Sequence, residues 1–140
     1  MRQVCSVRAA MDNYVGTLAN IHEAAEAVYK ELGGGLSESI YQHAMAIELR
    51  NQGHVVETEV VIPVNYHKSY VGFIRADIIV NSSVILELKV VSKISDTHRG
   101  QLKSYLIWAS RAHNMLQPSE MLGMLVNFGA SALEIEVDKC

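Results

Sequence analysis

Three charged residues on two neighbouring apolar segments are the first feature of the sequence that could carry out chemistry. Asp77 lies in the segment 71–80, and Glu87 and Lys89 lie in the segment 84–91. Both segments have the apolar content of β-strands, in which side chains alternate between two faces. Glu87 and Lys89 therefore share one face and interrupt a surface that is otherwise apolar. Because unpaired buried charge is costly, such residues are expected to have partners or a function.

The turn between the two segments brings two of these residues together. If Asn81-Ser82-Ser83 forms the turn of a hairpin, Asp77 lies directly opposite Glu87 on the same face. Like charges in that position destabilise a pair of strands, and at ~4 Å with an effective dielectric constant of about 20 they repel by roughly 4 kcal/mol. A divalent cation such as Mg²⁺ takes oxygen ligands, so it would turn this repulsion into a binding site.

The pattern D-x(9)-E-x-K formed by Asp77, Glu87 and Lys89 suits metal-assisted hydrolysis of a phosphodiester. Two carboxylates hold a cation that polarises the phosphate and lowers the pKa of bound water. A lysine on the same face orients or deprotonates that water and offsets the negative charge that develops. The alternative interpretation is a solvent-facing Glu–Lys pair at a sheet edge, because such spacings also arise by chance.

Two helical segments supply further candidates. Glu38 follows Gly33-Gly34-Gly35 in the first turn of a predicted helix, where the helix dipole favours an acidic residue. The glycines also allow the backbone to aim Glu38 at the charged face of the sheet. Gln101 and Tyr105 lie one turn apart on a later helix, with His98 on the same face. A buried amide needs hydrogen-bond partners, so Gln101 is harder to explain as a core residue than the tyrosine is.

Basic residues are concentrated in the same part of the chain, where Lys89, Lys93, His98, Arg99 and Lys103 fall within a short segment. Nucleic-acid-binding surfaces are usually basic. The formal net charge of −3 does not indicate such a surface, although a local cluster of basic residues can suffice. The cluster is either a solvated helix face or a substrate-binding surface. In the second interpretation Lys93, His98, Arg99 and Lys103 contact the substrate.

Length and composition narrow the class of protein. A chain of 140 residues forms one domain with a core of its own. Cys5 and Cys140 lie near opposite ends and no Cys-x-x-Cys is present, which argues against a cysteine zinc site and favours a reducing compartment. The first eleven residues lack the apolar core of a signal peptide, and no run reaches transmembrane length.

The order of predicted elements is two helices, three strands, one helix and two strands, after a loosely attached segment 1–13. An order of this kind is typical of an α/β domain with a central sheet. The predicted helices cover about 17–32, 37–53 and 95–111, with Ser37 as a helix N-cap. The predicted strands cover 55–64, 71–80, 84–91, 122–128 and 133–137, and a loop is predicted at 112–120.

Seven motifs occur in an order that resembles the GxxExxY family of the PD-(D/E)xK nuclease superfamily. They are Gly35-Leu36-Ser37-Glu38-Ser39-Ile40-Tyr41, Glu48-Leu49-Arg50, Phe73-Ile74-Arg75-Ala76-Asp77, Leu86-Glu87-Leu88-Lys89, His98-Arg99-Gly100-Gln101, Tyr105-Leu106 and Val126-Asn127-Phe128-Gly129. The likeness covers roughly residues 17–137. It implies an α/β fold with a restriction-endonuclease-like core, in which helices flank a central mixed sheet. The expected organisation is an N-terminal extension, 1–16, and a single nuclease-like domain, 17–140.

The resemblance also implies roles for individual residues. The implied catalytic residues are Glu38, Asp77, Glu87, Lys89, Gln101 and Tyr105. The first three would bind the metal together with the backbone carbonyl of Leu88, and Lys89 would be the active-site lysine. The implied cofactor is Mg²⁺, with Mn²⁺ as its substitute.

The function expected from the resemblance is metal-dependent hydrolysis of nucleic acid, with DNA as the expected partner. No membrane partner is expected, a homodimer is left open, and the expected location is intracellular, in the cytoplasm or with the nucleoid. The alternative is a non-catalytic nucleic-acid-binding or accessory module that keeps the fold, and a third interpretation is a structural domain of a larger assembly. The joint presence of the charged residues and Gln101 favours the enzyme.

Overall fold

The computed structural model describes residues 4–113 and 121–139, which form three helices and five strands. In chain order these are α1 (Val4–Leu32), α2 (Glu38–Asn51), β1 (Val56–Tyr66), β2 (Ser69–Val80), β3 (Val84–Lys89), α3 (Asp96–His113), β4 (Leu122–Phe128) and β5 (Leu133–Lys139). No helix in these two described ranges is long and apolar enough to cross a membrane.

The five strands form one sheet in the order β1-β2-β3-β4-β5. Neighbours are antiparallel except β3 and β4, which are parallel. A parallel pair needs a long crossover connection, and α3 is the helix of that crossover. The predicted α/β architecture with a central mixed sheet flanked by helices is therefore confirmed.

The helices cover opposite faces of the sheet. Alternate side chains of β3 point into two apolar layers, one on each face. On one face α1 and α2 pack against the sheet through a core that includes Ile21, Tyr41, Leu49, Ile78, Leu86 and Val126. On the other face α3 packs through a core that includes Leu102, Leu106, Ile79, Ile85 and Leu125. Strands buried on both faces have nearly continuous apolar sequences, as the first residues of β3 do.

The predicted hairpin between β2 and β3 is confirmed. Its pairs are Ile78–Leu86, Ile79–Ile85 and Val80–Val84, which is the register that a turn at residues 81–83 requires. The pairs end at Ile78 and Leu86, so Asp77 and Glu87 lie just beyond the regular ladder. The charged residues thus stand where the two strands separate.

Some predicted boundaries were wrong. α1 begins at Val4 and not near residue 17, because residues 4–15 contain neither proline nor glycine and a helix of this length tolerates the roughly 1 kcal/mol cost of Gly16. The loop expected at 112–120 was wrong for residues 112 and 113, which belong to α3, and residues 114–120 lie outside the described part. β5 extends to Lys139.

Only some of the apolar side chains of α2 face the core. Ile40 and Ile47 are exposed, while Met45 and Ala46 are buried with Tyr41 and Leu49. Ser37 occupies the N-cap position as predicted, but its side chain makes no capping hydrogen bond. The hydroxyl of Ser37 instead lies 3.3 Å from that of Ser39.

Candidate active site

Where β2 and β3 separate, hydrogen bonds from backbone N–H groups to two carboxylates take the place of the hydrogen bonds between the two backbones. The backbone N–H of Asp77 donates to Oε1 of Glu87 at 3.3 Å, and the backbone N–H of Leu88 donates to Oδ2 of Asp77 at 2.8 Å. Each carboxylate is therefore fixed through one of its two oxygens. Within the described residues, no hydrogen bond occupies the second oxygen of either group, which is available to an external ligand.

The backbone of Leu88 faces the same gap. Leu88 lies two residues beyond the last β2–β3 pair, and its N–H points at Asp77. In an extended strand the N–H and C=O of one residue point toward the same neighbouring strand. The Leu88 carbonyl is thus directed to the side of the two carboxylates, as a metal ligand would need to be.

α3 holds the lysine of the site. Nζ of Lys89 donates to Oε1 of Gln101 at 3.0 Å, and Nε2 of Gln101 donates to the hydroxyl of Tyr105 at 3.3 Å. The Gln101 amide therefore has the partners that a half-buried amide requires. Burial, and then the negative charge of Glu87, raise the pKa of Tyr105. Lys89, Gln101 and Tyr105 form one connected chain of polar groups beside the carboxylates.

The glycine turn before α2 is fixed by the tyrosine of the G-x-x-E-x-x-Y motif. Gly33 and Gly35 have φ of 73° and 84°, a conformation that favours glycine. The Tyr41 hydroxyl donates to the Gly33 carbonyl at 2.6 Å and accepts from the N–H of Leu36 at 3.1 Å. The Tyr41 ring stacks on Phe128 with centroids 4.2 Å apart. This arrangement anchors the turn to the sheet.

Glu38 is the first residue of α2 and is positioned by that turn. Burial, and then the charge of Asp77, raise the pKa of the Glu38 carboxyl, while Lys89 lowers it. A Cβ at Gly34 would collide with the carbonyl oxygen of Gly129, so the close approach that directs α2 requires glycine there. The effects of Asp77 and Lys89 on the pKa of Glu38 therefore indicate that Glu38 lies close to both of them.

Glu87 is the most strongly perturbed carboxyl of the site. Its side chain is almost fully buried, with only 3% of the residue exposed. Burial, followed by repulsion from Asp77, raises its pKa to about 8. Burial likewise raises the pKa of Asp77, although the hydrogen bond from Leu88 acts in the opposite direction. Two carboxyls held together in this way are stabilised by a cation or by a shared proton.

The donor set fits a metal ion through two carboxylates and one carbonyl. Within 4–113 and 121–139, no three His, Cys, Asp or Glu side chains are grouped closely enough to hold a metal ion. Glu38 therefore does not complete a direct three-carboxylate cage with Asp77 and Glu87, and its metal-binding role stays a prediction. The available oxygens of Asp77 and Glu87, with the carbonyl of Leu88, are the hard oxygen ligands that Mg²⁺ takes.

The predicted substrate-binding residues differ in their surroundings. Nε and Nη2 of Arg99 bond both carboxylate oxygens of Glu136 at 2.7 and 2.8 Å, and Nη1 bonds Asp96 at 2.7 Å. The Lys103 ammonium is 3.8 Å from Asp138. The hydrogen bond from Arg99 also lowers the pKa of Glu136. Neighbouring carboxylates therefore already neutralise the positive charges of Arg99 and Lys103.

The remaining two predicted substrate contacts are less restrained. His98 is at the start of α3, where Nδ1 accepts from the N–H of Ser95 at 3.0 Å. Lys93 is exposed in the segment between β3 and α3. The described part of the chain supplies no carboxylate partner for Lys93, so its charge is available to a phosphate.

Two residues near the site were not predicted from the sequence. Glu59 lies between the pairs Thr58–Ile78 and Val60–Ala76, so it stands opposite Asp77, and its charge contributes to the raised pKa of Asp77. Its φ of 49° departs from the extended backbone conformation of the rest of β1. The only sequence signal was an acidic residue inside an apolar strand.

Asn127 is the second residue that was missed, although it belongs to one of the motifs. It is fully buried, and its side chain accepts from the N–H of Val91 and donates to the carbonyl of Val91, both at 2.9 Å. It also donates to Glu134 at 2.8 Å. Asn127 is paired with Lys89 in the sheet register, and its hydrogen bonds hold the chain at Val91, two residues after the lysine.

Comparison with known proteins addresses the family and the fold of the chain. The sequence profile described as the PD-(D/E)XK nuclease superfamily matches residues 16–140, whereas no curated protein matches the chain. The crystal structure of SSO0001 has a similar fold, with a TM-score of 0.52 and 20% sequence identity over 91% of this chain and 60% of that one. That likeness concerns the fold, and this chain spans only about 60% of that protein. Because the family profile matches nearly the whole sequence, the chain belongs to the PD-(D/E)XK nuclease superfamily.

Proposed function

We propose that this protein is a Mg²⁺-dependent nuclease that hydrolyses phosphodiester bonds in DNA, with Mn²⁺ as a substitute cation. The observation that carries the proposal is the pair Asp77 and Glu87 at the point where two strands separate, with Lys89 oriented beside them by Gln101. Membership of the superfamily supports the reaction class. We also assign the chain to the GxxExxY branch, on the strength of the segment from Gly35 to Tyr41.

Asp77, Glu87 and the Leu88 carbonyl would hold the cation. When bound, it would supply Lewis-acid activation of the phosphodiester and of the attacking water. The hydrogen bonds from the backbone to Asp77 and Glu87 fix both carboxylates before any ligand arrives. Such preorganisation is what makes electrostatic catalysis effective, since the protein does not need to reorganise during the reaction.

Lys89 would act on the attacking water and on the negative charge that develops on the phosphate oxygens. The Gln101 carbonyl oxygen restrains its ammonium group at 3.0 Å, and Tyr105 restrains Gln101 in turn. An ammonium held in one place stabilises a transition state better than a freely rotating one, because the entropy of positioning has already been lost. Gln101 and Tyr105 are therefore assigned as residues that position Lys89.

Glu38 and the basic residues would complete the site around the substrate. Glu38 adds a third negative charge, and the repulsion between Glu38 and Asp77 supports a role for Glu38 beside the metal. Lys93 and His98 are proposed as phosphate contacts. The roles proposed for Arg99 and Lys103 are weaker, because Glu136 and Asp138 already neutralise them.

A cleavage assay tests the proposal directly. Purified protein is incubated with single-stranded, double-stranded and branched DNA and with RNA of the same sequence, in Mg²⁺, Mn²⁺ or EDTA. We expect metal-dependent cleavage of at least one DNA substrate, nearly abolished in Lys89→Ala and retained in the matched control Lys30→Ala, which removes an exposed lysine from the last turn of α1.

The same assay separates the enzyme from its main alternative. If wild-type protein binds DNA but cleaves no substrate in either metal, the chain is a nucleic-acid-binding accessory module. Equal cleavage by wild type and Lys89→Ala would show that the activity comes from another site or a contaminant. Cleavage of RNA alone would correct the assignment of DNA as the substrate.

A further inference from the structure

The hairpin of β1 and β2 extends well past the rest of the sheet. β1 and β2 pair from residue 56 to residue 80, but β2 pairs with β3 only over 78–80. In the distal part of this hairpin, residues 60–76, one face packs toward α3 through Ile62 and Ala76. The opposite face is exposed, so a long two-stranded ribbon presents one of its faces to solvent beside the candidate active site.

The exposed face combines apolar, aromatic and cationic groups. Val61 pairs with Arg75, and Pro63 pairs with Phe73, so these four residues share one side of the ribbon. Phe73 is 51% exposed, and the guanidinium of Arg75 lies 5.8 Å from the centroid of its ring. A half-exposed aromatic ring offers a stacking surface, and the neighbouring guanidinium offers a positive charge, to a partner that has both flat rings and anionic groups.

The hairpin also differs in charge from the rest of the protein. Residues 60–76 contain Lys68 and Arg75 and no Asp or Glu, although the chain as a whole has a formal net charge of −3. Two further aromatic side chains near its tip, Tyr66 and Tyr70, are 66% and 64% exposed. The surface is therefore locally positive and rich in exposed rings.

The position of this surface connects it to the carboxylates. Arg75 and Phe73 precede Asp77 by two and four residues on the same strand, β2. At a rise of about 3.3 Å per residue, Phe73 lies roughly 13 Å from Asp77 along the strand. A polymer strand whose phosphate occupies the site can therefore reach the exposed ring with a neighbouring nucleotide.

We propose that the exposed face of the distal hairpin binds unpaired bases of the DNA strand that enters the active site, so that the substrate class is DNA with a single-stranded segment. The inference rests on the proposed function. Phe73 offers a stacking platform to a base, and Arg75 and Lys68 offer charge to the adjacent phosphates. Proteins that bind single strands combine these two kinds of contact, and stacking requires bases that are not paired in a duplex.

The sharpest test compares an oligomer that has bases with one that has none. A labelled oligodeoxythymidine of about 12 nucleotides, within the length range that single-strand-binding surfaces cover, is titrated with protein in Ca²⁺ in place of Mg²⁺. An abasic oligomer of equal length is titrated in parallel. Wild type is expected to bind the thymidine oligomer more tightly, and Phe73→Ala is expected to lose roughly tenfold or more of that affinity while its affinity for the abasic oligomer stays unchanged.

Matched variants make the result specific. Phe73→Leu keeps an apolar side chain but removes the ring, so it should lose the preference for bases as Phe73→Ala does. Ile47→Ala removes an exposed apolar side chain from α2 and should bind as wild type. Arg75→Ala should weaken binding of both oligomers and reduce the slope of log K against log salt by about 0.7. Thermal melting of each variant checks that the fold is retained.

Two results would overturn the inference. One is that wild type shows no preference for the thymidine oligomer over the abasic one. The other is that Phe73→Ala and Phe73→Leu bind both oligomers as wild type does. The second result, together with a change from dimer to monomer in sedimentation, would identify the hairpin face as a contact between two copies of the chain.

Failure of this inference can be distinguished from failure of the proposed function. If the protein cleaves no nucleic acid but its preference for bases depends on Phe73, the hairpin inference holds and the nuclease assignment falls. If cleavage depends on Lys89 and the substitutions at Phe73 change neither binding nor cleavage, the nuclease assignment holds and the hairpin inference falls.

Discussion

Replacing the buried Glu87 by glutamine should make the metal-free protein more stable at alkaline pH. The Glu87→Gln substitution keeps the shape of the side chain and an oxygen that accepts from the N–H of Asp77, but the amide cannot ionise. The raised pKa of Glu87, about 8 against an ordinary value of 4.5, means that the folded protein resists ionisation of this carboxyl. Substitution to glutamine removes that resistance and also removes the repulsion that Glu87 exerts on Asp77.

The size of the effect follows from the pKa. A change from 4.5 to about 8 corresponds to roughly 5 kcal/mol against the ionised form, at about 1.4 kcal/mol for each factor of ten. Since the folded pKa lies above the unfolded one, the stabilisation that this group contributes is fully present below about pH 4.5 and is lost as the pH rises to about 8. Wild type should lose roughly 3 kcal/mol of unfolding free energy from this group between about pH 5 and about pH 8.

Urea unfolding in EDTA at a series of pH values measures this difference. Wild type and Glu87→Gln are compared at each pH, so that contributions from the groups that both proteins share cancel. Asp77 and Glu38, whose pKa values are also raised, are present in both proteins and give both curves the same direction, so the difference between the curves reports Glu87. The variant should therefore gain stability relative to wild type as the pH rises. Parallel curves for the two proteins would refute the view that a buried, repelled carboxyl dominates this site.

Three further outcomes are expected. Millimolar Mg²⁺ or Mn²⁺ should raise the melting temperature of wild type by mass action but do little for Asp77→Asn, and equal shifts in calorimetry would place the metal elsewhere. Gln101→Ala should lower kcat by roughly tenfold or more with a small change in KM, because it releases Lys89 without removing it, and a change confined to KM would contradict this role. Lys93→Ala should weaken the binding of duplex DNA and reduce the slope of log K against log salt by about 0.9. Arg99→Ala should have a smaller effect, because Glu136 already pairs with Arg99, and fluorescence anisotropy at several salt concentrations distinguishes the two variants.

The pairing of the two carboxylates could be predicted from local sequence alone. Two apolar segments separated by three polar residues define a hairpin, and alternation along its strands places Asp77 opposite Glu87 whatever the rest of the chain does. The observed register agrees with this prediction. The separation of the strands at that point could not be predicted in this way, since it depends on the carboxylates that replace the backbone hydrogen bonds.

The local turn chemistry was equally informative for Glu38 but not for Glu59. Three successive glycines end one helix and precede another, so Glu38 had to lie at the start of α2. Glu59 adopts a positive φ that glutamate rarely takes. Nothing in its residue type indicates this conformation. Its position opposite Asp77 depends on the β1–β2 register, and no recognisable turn motif predicts that register.

Tertiary structure alone decided the partners of the cations. Lys89 and Gln101 are 12 residues apart and meet because α3 packs on the face of the sheet that carries Lys89. Arg99 and Glu136 are 37 residues apart and meet because β5 pairs with β4. Periodicity specifies which face of its own element a side chain occupies, whereas the partner of a charge depends on which elements pack together. Local sequence therefore placed the carboxylates, and only the packing of α3 and β5 decided which cations stay available to a substrate.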